Sequence, residues 1–413
     1  MNFKSLIVSH PTGILNGTVT PPASKSESNR ALIIEALSGA GSKLENLSEA
    51  NDTRVITRLL QEKADELNAE DAGTVMRFMT AYLAVTGQQK TITGTARMQQ
   101  RPIGILVEAL RQLGAQIDYL GQEGYPPLAF RGIDRNQQYP ATLQVRGDIS
   151  SQYISALLMV APLFPHGLTL ELQGKVGSRP YIQMTLALMQ HFGVQSDFTG
   201  NVIKVPAQSY GRAIYTIESD WSGASYWYSM VALAKEARVT LTGLRQASFQ
   251  GDSAIADIMV NIGVKTEFVS QGVILTKTDT LKPFSYDFSD CPDLAQTVAV
   301  VCAAKGIAAE MTGLESLRIK ETDRIAALQQ ELRKIGGDLE DLGQEIFRVK
   351  PATGIPGQPK FHTYEDHRMA MAFAPLGLLA PVEIEEPHVV RKSYPRYWEN
   401  LAAMGFDLAA AGE

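Results

Sequence analysis

The chain has 413 residues, of which 45% are hydrophobic and 20% are charged, a composition typical of soluble globular proteins. The formal net charge of −6 excludes a global attraction to nucleic acid or to anionic membranes, so any anion binding requires a local cluster of cations. The length exceeds what one hydrophobic core usually serves, which predicts two domains. The sequence has neither an apolar run that could span a bilayer nor the layout of a targeting peptide, and we expect a cytoplasmic protein.

The first informative segment is PASKSESNRALIIEAL, residues 22–37, in which an apolar helix is predicted to follow a cluster of polar residues. Serines are common at helix starts because they cap free N–H groups. Lys25 and Arg30 are unexpected there, since the helix dipole repels cations at its N-terminus. The segment is therefore either a capped helix with two solvated charges or a site for a phosphate or carboxylate.

The same order of a polar turn, an apolar helix and a short strand recurs along the chain. The six segments begin near Lys25, Asp71, Asp148, Ser219, Asp290 and Glu365. A second, amphipathic helix follows each one, and several of these helices are predicted to stop at a glycine, namely Gly114, Gly193, Gly263 and Gly336. The repeat predicts two domains of three units each. A linear solenoid is the structural alternative, but the segments share little sequence identity.

In five of the six segments, polar or charged residues suited to binding anions stand at the start of the first helix. They are Lys25–Arg30, Gly73–Arg77, Ser150–Gln152, Asp293 and His367–Arg368. The remaining segment, around Trp221–Ser225, offers small residues at that place. Helix N-termini that converge on one cleft would attract anions despite the negative net charge.

Carboxylates stand among these cations. The segment LRIKETDRIAAL places Glu321 between Lys320 and Arg324, as either a solvated, capped helix or a proton shuttle controlled by its neighbours. Asp293 is either a helix cap or a base for a hydroxyl group, and His367 is either a packed histidine or a hydrogen-bond donor. The sequence has no GxxxxGK[ST], GxSxG or HExxH motif, and Cys291 and Cys302 lack metal-ligand spacing. These features favour acid–base transfer between two small anions, with neither a metal nor a cofactor.

Nine motifs occur in the order found in the 5-enolpyruvylshikimate-3-phosphate synthase family, which the chain resembles over nearly its whole length. They are SKSESNRAL, DAGTVMR, RMQQRPIG, ISSQYISALL, SRPYI, QGD, KETDR, EDHRMAM and KSYP. The resemblance implies an α/β fold, a two-domain inside-out α/β prism built from six repeated βαβαββ-type units. Domain 1 would comprise residues 1–22 plus 219–413 on the phosphoenolpyruvate side. Domain 2 would comprise residues 23–218 on the shikimate 3-phosphate side.

The resemblance also implies an activity. The enzyme would transfer the enolpyruvyl group of phosphoenolpyruvate to the 5-hydroxyl of shikimate 3-phosphate and release phosphate by addition–elimination, a step of the shikimate pathway to aromatic amino acids. It would use no metal and no cofactor, act as a monomer on two small-molecule substrates, and bind neither nucleic acid nor membrane. Glyphosate would occupy the phosphoenolpyruvate site.

Carried over by position, the catalytic residues would be Asp293, Glu321 and Lys25. Asp293 would take the 5-hydroxyl proton, Glu321 would protonate the methylene carbon and later remove a proton, and Lys25 would touch both substrates. Shikimate 3-phosphate would be bound by Lys25, Ser26, Arg30, Ser150, Ser151, Gln152, Ser178, Tyr181, Asp293, Ser316 and Lys320. Phosphoenolpyruvate would be bound by Lys25, Gly73, Arg101, Gln152, Arg324, His367, Arg368 and Lys392.

Three positions depart from the family pattern. Asp71 stands in place of Asn, Phe78 in place of a common proline, and Ser316 in place of an Asn found in some members. The first two predict weaker inhibition by glyphosate, because they alter the wall near Gly73.

Two alternatives to this function stay open from the sequence. They are the sister enolpyruvyl transferase that acts on UDP-N-acetylglucosamine with a loop cysteine as acid, and a non-catalytic phosphometabolite-binding protein on the same scaffold. We further expect a cleft that closes on shikimate 3-phosphate about hinges near Thr20–Ala23 and Glu218–Asp220, because two basic faces would repel each other when empty.

Overall fold

The computed structural model describes residues 4–39, 41–134, 139–147 and 150–411. Asp148 and Ile149, with which the third predicted segment begins, lie outside the described residues. By its internal contacts the chain divides into two compact units. Unit 1 comprises Met1–Pro22 with Glu218–Glu413, and unit 2 comprises Ala23–Ile217. Each unit has a hydrophobic core of its own.

The helices of the described residues follow the predicted order. They are α1 (Lys25–Ser38), α2 (Asn51–Gln61), α3 (Gly73–Thr86), α4 (Gly104–Gln112), α5 (Ser151–Val160), α6 (Arg179–His191), α7 (Trp221–Leu233), α8 (Ile255–Ile258), α9 (Ala295–Lys305), α10 (Arg324–Arg333), α11 (His367–Phe373) and α12 (Tyr397–Ala403). Among the described residues, no helix combines the length and the apolar character needed to cross a membrane.

The strands are short. They are β1 (Ser5–Ser9), β2 (Ile14–Val19), β3 (Lys43–Glu45), β4 (Glu66–Asn68), β5 (Thr91–Thr93), β6 (Ala115–Tyr119), β7 (Leu128–Ile133), β8 (Thr142–Arg146), β9 (Leu168–Gln173), β10 (Asp197–Thr199), β11 (Val202–Val205), β12 (Ile214–Thr216), β13 (Glu236–Thr242), β14 (Val264–Val269), β15 (Gly272–Lys277), β16 (Phe284–Asp287), β17 (Ala309–Thr312), β18 (Asp338–Asp341), β19 (Phe347–Lys350), β20 (Lys360–Phe361), β21 (Val382–Glu385) and β22 (Asp407–Ala410).

The sheets repeat one pattern, in which a parallel pair of strands is extended by two antiparallel neighbours. Unit 2 contains the sheets β4-β5-β7-β6 and β10-β11-β9-β8, and unit 1 contains β14-β15-β13-β2, β16-β17-β19-β18 and β20-β21-β1-β22. The sheet formed by β3 and β12 keeps the parallel pair alone. Together with the helices, this pattern confirms the predicted α/β fold of six repeated segments.

The first helix of each segment lies at the centre of its unit. In unit 2, α1, α3 and α5 contact one another, and in unit 1, α7, α9 and α11 do so. These helices are apolar on nearly all sides; in α9 every side chain from Ala295 to Ala303 is buried. Each buried valine or leucine contributes about 1.5–3 kcal/mol relative to an exposed one, so helix packing holds the helix starts in fixed positions.

One of the predicted second helices has a different form. Residues 251–262 form a 3₁₀ turn, the short helix α8 and another 3₁₀ turn instead of one continuous helix. The segment contains several β-branched residues, which lose side-chain freedom in a helix and lower its stability. The other five second helices, α2, α4, α6, α10 and α12, are confirmed.

The predicted glycine stops are confirmed as well. The backbone φ angles of Gly114, Gly193, Gly263 and Gly336 are 86°, 91°, 90° and 74°, in the left-handed region that favours glycine. At Gly336 space is limited too, because an added Cβ would overlap Oγ1 of Thr353 and lie 3.1 Å from its Cβ and 3.2 Å from its backbone nitrogen.

We predict that Gly336→Ala destabilises the protein by about 1–3 kcal/mol more than Gly306→Ala, the usual penalty for overpacking. The comparison is matched, because Gly306 lies in the same unit with φ of 73° and has open space where a Cβ would stand. Both variants incur the left-handed backbone penalty of about 1–2 kcal/mol, so the difference isolates the contact with Thr353. Urea unfolding of the two variants measures it, and equal midpoints would contradict the prediction.

Candidate active site

The centre of the unit 1 site is Arg324, a buried side chain that binds three carboxylates. Its Nε donates to Oδ2 of Asp366 at 2.7 Å, its Nη1 to Oδ1 of Asp293 at 2.9 Å, and its Nη2 to Oε2 of Glu321 at 2.9 Å. Burial alone would lower the pKa of Arg324, but the charges of Asp366, Glu321 and Asp293 outweigh burial and raise it well above its usual range. The predicted base Asp293 and the predicted proton carrier Glu321 are therefore both bound by the guanidinium of Arg324.

Asp293 is shared between two arginines. Its Oδ2 accepts from Nη2 of Arg368 at 2.8 Å, while Oδ1 accepts from Arg324. Burial would raise the pKa of Asp293, but the positive charges of Arg368, Lys320 and Arg324 hold it well below its usual range. Asp293 is therefore a carboxylate at neutral pH. It makes ion pairs, although the sequence also allowed a plain helix cap.

Helix starts in unit 1 explain how these side chains meet. Asp323 caps α10 by accepting from the backbone N–H groups of Ile325 and Ala326, both at 3.1 Å, which leaves Arg324 at the first helical position. Asp366 caps α11 by accepting from the backbone N–H of Arg368 at 2.8 Å, while it also binds Arg324. The two arginines are thus fixed by caps at two helix starts.

The remaining predicted residues of unit 1 lie at different distances from this cluster. Lys392 pairs with Glu321, with Nζ 3.5 Å from Oε1. His367 is buried, and its Nδ1 lies 3.7 Å from Oδ1 of Asp366. Lys320 acts on Asp293 through its charge. Ser316 lies half-buried in the 3₁₀ turn Glu315–Ile319, outside the contacts just described.

In unit 2, the predicted two-substrate residue Lys25 begins α1. Its Nζ lies 3.2 Å from Oδ2 of the buried Asp52, and its side chain is 19% exposed. Ser24 caps the same helix by accepting from the backbone N–H of Glu27 at 3.4 Å. Lys25 is therefore held by a carboxylate and partly open to solvent.

Arg30 lies deeper, with 2% of its surface exposed. Its guanidinium donates to Oγ1 of Thr185 at 2.8 Å, to the backbone oxygen of Ser26 at 2.8 Å and to Oγ of Ser155 at 2.9 Å. Burial lowers the pKa of Arg30 to about 10, although Tyr181 and Glu27 partly raise it, so the group stays charged at neutral pH. These three bonds use three of its five N–H groups, and its contact with a substrate stays a prediction.

Phe78 and Tyr181 both pack against this guanidinium. The carbon centre of the Arg30 guanidinium lies 5.3 Å from the ring centroid of Phe78 and 5.6 Å from that of Tyr181. Phe78, one of the departures from the family pattern, is fully buried and lies within the uninterrupted helix α3. The ring of Phe78 therefore packs against the guanidinium of Arg30 and helps to hold it in place. Asp71, the second departure, is partly buried in the turn before α3.

Gly73 allows two guanidinium groups to converge at the start of α3. A Cβ at this position would lie 2.7 Å from Nη1 of Arg101 and 2.7 Å from Nη1 of Arg77. Arg77 donates to the backbone oxygen of Gly73 at 2.9 Å, and its guanidinium stacks near Tyr153 at 5.5 Å. The structure thus brings Gly73 and Arg101 together, as predicted residues of one anion site would require.

The predicted residues of α5 and α6 complete unit 2. Gln152 Nε2 donates to Oγ1 of Thr74 at 3.0 Å, which joins α5 to the start of α3. Ser150 caps α5 by accepting from the backbone N–H of Gln152 at 3.3 Å, and Ser151 is its first residue. Ser178 precedes α6 with φ of 53°, a conformation that costs a residue other than glycine about 1–3 kcal/mol and is frequent at functional sites.

Several residues of these clusters were not selected from the sequence. Asp52 and Asp366 are the buried partners of Lys25 and Arg324, and Asp366 stands inside the motif EDHRMAM. Ser222 and Tyr226 belong to the helix α7, for whose start the sequence indicated only small residues. Their hydroxyl oxygens lie 3.4 Å and 3.2 Å from guanidinium nitrogens of Arg368. Each of the cations Lys25, Arg324, Arg368 and Lys392 has a carboxylate partner within its own unit.

The two cysteines do not resemble a mobile acid. Cys291 and Cys302 are both buried, and burial raises the pKa of each thiol well above its usual value. Within the described ranges, no group of three or more His, Cys, Asp or Glu residues is arranged to hold a metal ion.

The sequence was also compared with protein families and with known proteins. A family described as EPSP synthase (3-phosphoshikimate 1-carboxyvinyltransferase) matches residues 10–62 and 57–401. A 3-phosphoshikimate 1-carboxyvinyltransferase from Bacteroides fragilis is 48% identical over 415 residues, covering 98% of this chain and 99% of the relative. One from Klebsiella pneumoniae is 36% identical over 422 residues, covering 95% of this chain and 97% of the relative.

Solved structures agree on the fold. An EPSP synthase from Acinetobacter baumannii is similar with a TM-score of 0.81 at 21% identity, covering 98% of this chain and 100% of that one. The family match and the sequence identities show that the chain belongs to the EPSP synthase family.

Proposed function

We propose that this protein transfers the enolpyruvyl group of phosphoenolpyruvate to the 5-hydroxyl of shikimate 3-phosphate and releases phosphate, in the shikimate pathway to aromatic amino acids. The observation that carries the proposal is the Arg324 cluster, in which Asp293 and Glu321 both lie 2.9 Å from one guanidinium. A base for a hydroxyl and a proton carrier are the two groups that addition of an alcohol to an enol phosphate requires. The substrates follow from family membership and from the names of the relatives.

The chemistry needs three proton transfers, one carbon–oxygen bond that forms and one that breaks. Glu321 delivers a proton to the methylene carbon of phosphoenolpyruvate, which becomes a methyl group and leaves positive charge on the neighbouring carbon. The 5-hydroxyl oxygen bonds to that carbon while Asp293 takes its proton. Glu321 then removes a proton from the methyl group as the carbon–oxygen bond to phosphate breaks. This restores the double bond and releases phosphate.

The charges around Asp293 determine its strength as a base. Arg368 and Arg324 hold Asp293 ionised with a low proton affinity, so alone it would be a weak base. A bound carboxylate or phosphate that takes over part of the charge of Arg368 raises the pKa of Asp293 toward a useful value. Substrate binding would thereby activate the base.

Binding roles are proposed for the two sets of residues. The phosphoenolpyruvate set is Lys25, Gly73, Arg101, Gln152, Arg324, His367, Arg368 and Lys392. The shikimate 3-phosphate set is Lys25, Ser26, Arg30, Ser150, Ser151, Gln152, Ser178, Tyr181, Asp293, Ser316 and Lys320. The convergence of Arg101 and Arg77 on Gly73 and the strained backbone of Ser178 support these assignments. Since all of these residues belong to one chain, we also propose a monomer, active in the cytoplasm.

We predict that the purified protein releases phosphate from phosphoenolpyruvate only when shikimate 3-phosphate is present, and does so in EDTA. A coupled phosphate assay with each acceptor measures this. Turnover with UDP-N-acetylglucosamine, or activity lost in EDTA and restored by zinc or magnesium, would contradict it. Binding of both substrates without any phosphate release would indicate a non-catalytic protein.

A second prediction concerns Glu321→Gln, which keeps the size of the side chain but cannot shuttle a proton. It should lower kcat by a factor on the order of 10² or more, as expected for loss of a general acid–base. The KM values should change much less, because Arg324 and Lys392 remain. Glu310→Gln is the control, since Glu310 also pairs with an arginine, Arg348, at 2.7 Å but on the surface. Wild-type kcat in Glu321→Gln would make Glu321 a structural partner of Arg324.

A further inference from the structure

The motif QGD has no role in the chemistry described above, yet it is tied to the start of α7. The backbone N–H of Trp221 donates to Oε1 of Gln250 at 3.0 Å, and Nε2 of Gln250 donates to the backbone oxygen of Ser219 at 2.8 Å. Two residues later, Asp252 accepts a hydrogen bond from the hydroxyl of Ser222 through its Oδ2. Asp252 is 3% exposed, so its carboxyl group is buried against this helix start.

Ser222 connects Asp252 to Arg368, which we propose binds phosphoenolpyruvate. Because the Ser222 hydroxyl proton is donated to Asp252, the oxygen lone pairs of Ser222 are left to accept, and Nη2 of Arg368 lies 3.4 Å away. The same nitrogen donates to Asp293 at 2.8 Å, and Nη1 donates to the hydroxyl of Tyr226 at 3.2 Å. Asp252 thus acts on Arg368 through one intervening side chain.

The other carboxyl oxygen of Asp252 has an unusual position. Oδ1 is buried and has no hydrogen-bond partner among the described residues. An ionised carboxylate with an unpaired buried oxygen is strongly disfavoured, whereas a protonated carboxyl group tolerates it better. The geometry alone therefore favours a proton on Asp252.

We propose that Asp252 is a positioning residue for Arg368: through Ser222 it orients the guanidinium, and its protonation state sets how much of that positive charge is offered to phosphoenolpyruvate. This inference rests on the proposed function, since it assumes that Arg368 binds that substrate. With a proton on Asp252, the substrate anion has less competition for Arg368. Without that proton, the negative charge of Asp252 competes with the substrate.

The charged groups that face Asp252 agree with this picture. Burial raises the pKa of Asp252 most, and the negative charges of Asp293 and Asp220 raise it further. Arg368 and the hydrogen bond from Ser222 offset part of this increase, and the resulting pKa is about 7. The neighbouring thiol of Cys291 stays neutral, because burial raises its pKa well above the usual value.

The sign of the pH dependence follows from these charges. Phosphoenolpyruvate adds negative charge beside Arg368 and so raises the pKa of Asp252 further, which means that binding takes up a proton. The affinity must then fall as the pH rises through 7. An upward shift of one unit on binding corresponds to an affinity about fivefold weaker at pH 8 than at pH 6.

The test compares KM for phosphoenolpyruvate at pH 6 and pH 8 in the wild type and in Asp252→Asn, whose amide oxygen still accepts from Ser222. We expect the ratio of KM at pH 8 to KM at pH 6 to be about fivefold larger in the wild type than in the variant. Titration of the substrate itself affects both proteins equally and cancels in this comparison. KM for shikimate 3-phosphate and kcat should stay within about twofold of wild type at pH 6.

Ser222→Ala removes the connecting hydroxyl and should flatten the same pH profile, which keeps the test available if Asp252→Asn folds poorly. The matched control is Glu331→Gln. Glu331 is also buried in unit 1, but it binds Lys334, Tyr364 and the backbone of His362. This variant should keep the wild-type ratio.

Identical pH ratios in wild type and Asp252→Asn, or a parallel change in both KM values and kcat, would overturn the proposal and leave Asp252 as a structural residue. A second measurement does not depend on turnover. In protein labelled with ¹³C at aspartate carboxyl groups, the signal missing from Asp252→Asn should titrate near pH 7 and shift upward with phosphoenolpyruvate. An unchanged titration also contradicts the proposal, whereas a shift without phosphate release contradicts only the proposed function.

Discussion

A guanidinium buried in a protein needs hydrogen-bond acceptors or opposite charges around it, and Arg324 has three carboxylates as its partners. Asp366, one of the three, also caps the helix that carries Arg368. The same interaction therefore fixes the start of α10, the start of α11 and the two acidic groups that we propose for catalysis. Removal of one partner of such a buried pair typically costs about 3–5 kcal/mol, because a charge is left uncompensated. In unit 1, stability and the geometry of the site depend on one set of contacts.

In unit 2, the buried guanidinium of Arg30 has neutral hydrogen-bond partners. Arg30 is buried between Phe78 and Tyr181 and donates to hydroxyl groups of Thr185 and Ser155. Burial lowers the pKa of Arg30 to about 10, whereas the three carboxylates around Arg324 outweigh burial and raise its pKa. Both arginines stay charged at neutral pH, but Arg324 is largely neutralised by its partners and Arg30 keeps more of its charge for an anion. This difference is consistent with acid–base chemistry around Arg324 and with substrate binding around Arg30.

The sequence predicts those features that are local. Runs of apolar residues identified the central helices, glycines marked their stops, and the residues at helix starts identified most of the cations of the site. It did not reveal that Arg324 pairs with Asp366, because these residues are 42 positions apart and only the fold brings them together. Tyr226 and Ser222 were missed for a similar reason, since hydroxyl groups in an apolar helix look like packing until the opposite residue is known. The apolar periodicity of residues 251–262 predicts one helix, because periodicity does not show how β-branched residues weaken a short helix.

The measurement that tests this account most directly is kcat of Arg324→Lys. Lysine keeps the positive charge but presents its donors from one nitrogen, so it cannot span Asp293, Glu321 and Asp366 as the planar guanidinium does. The account predicts a loss in kcat on the order of 10² or more, as expected when a base and a proton carrier lose their shared orientation. Far-UV circular dichroism should show retained secondary structure. Arg348→Lys, which alters an exposed pair with Glu310, should keep wild-type kcat. Wild-type kcat in a folded Arg324→Lys protein would contradict the claim that this guanidinium organises the site.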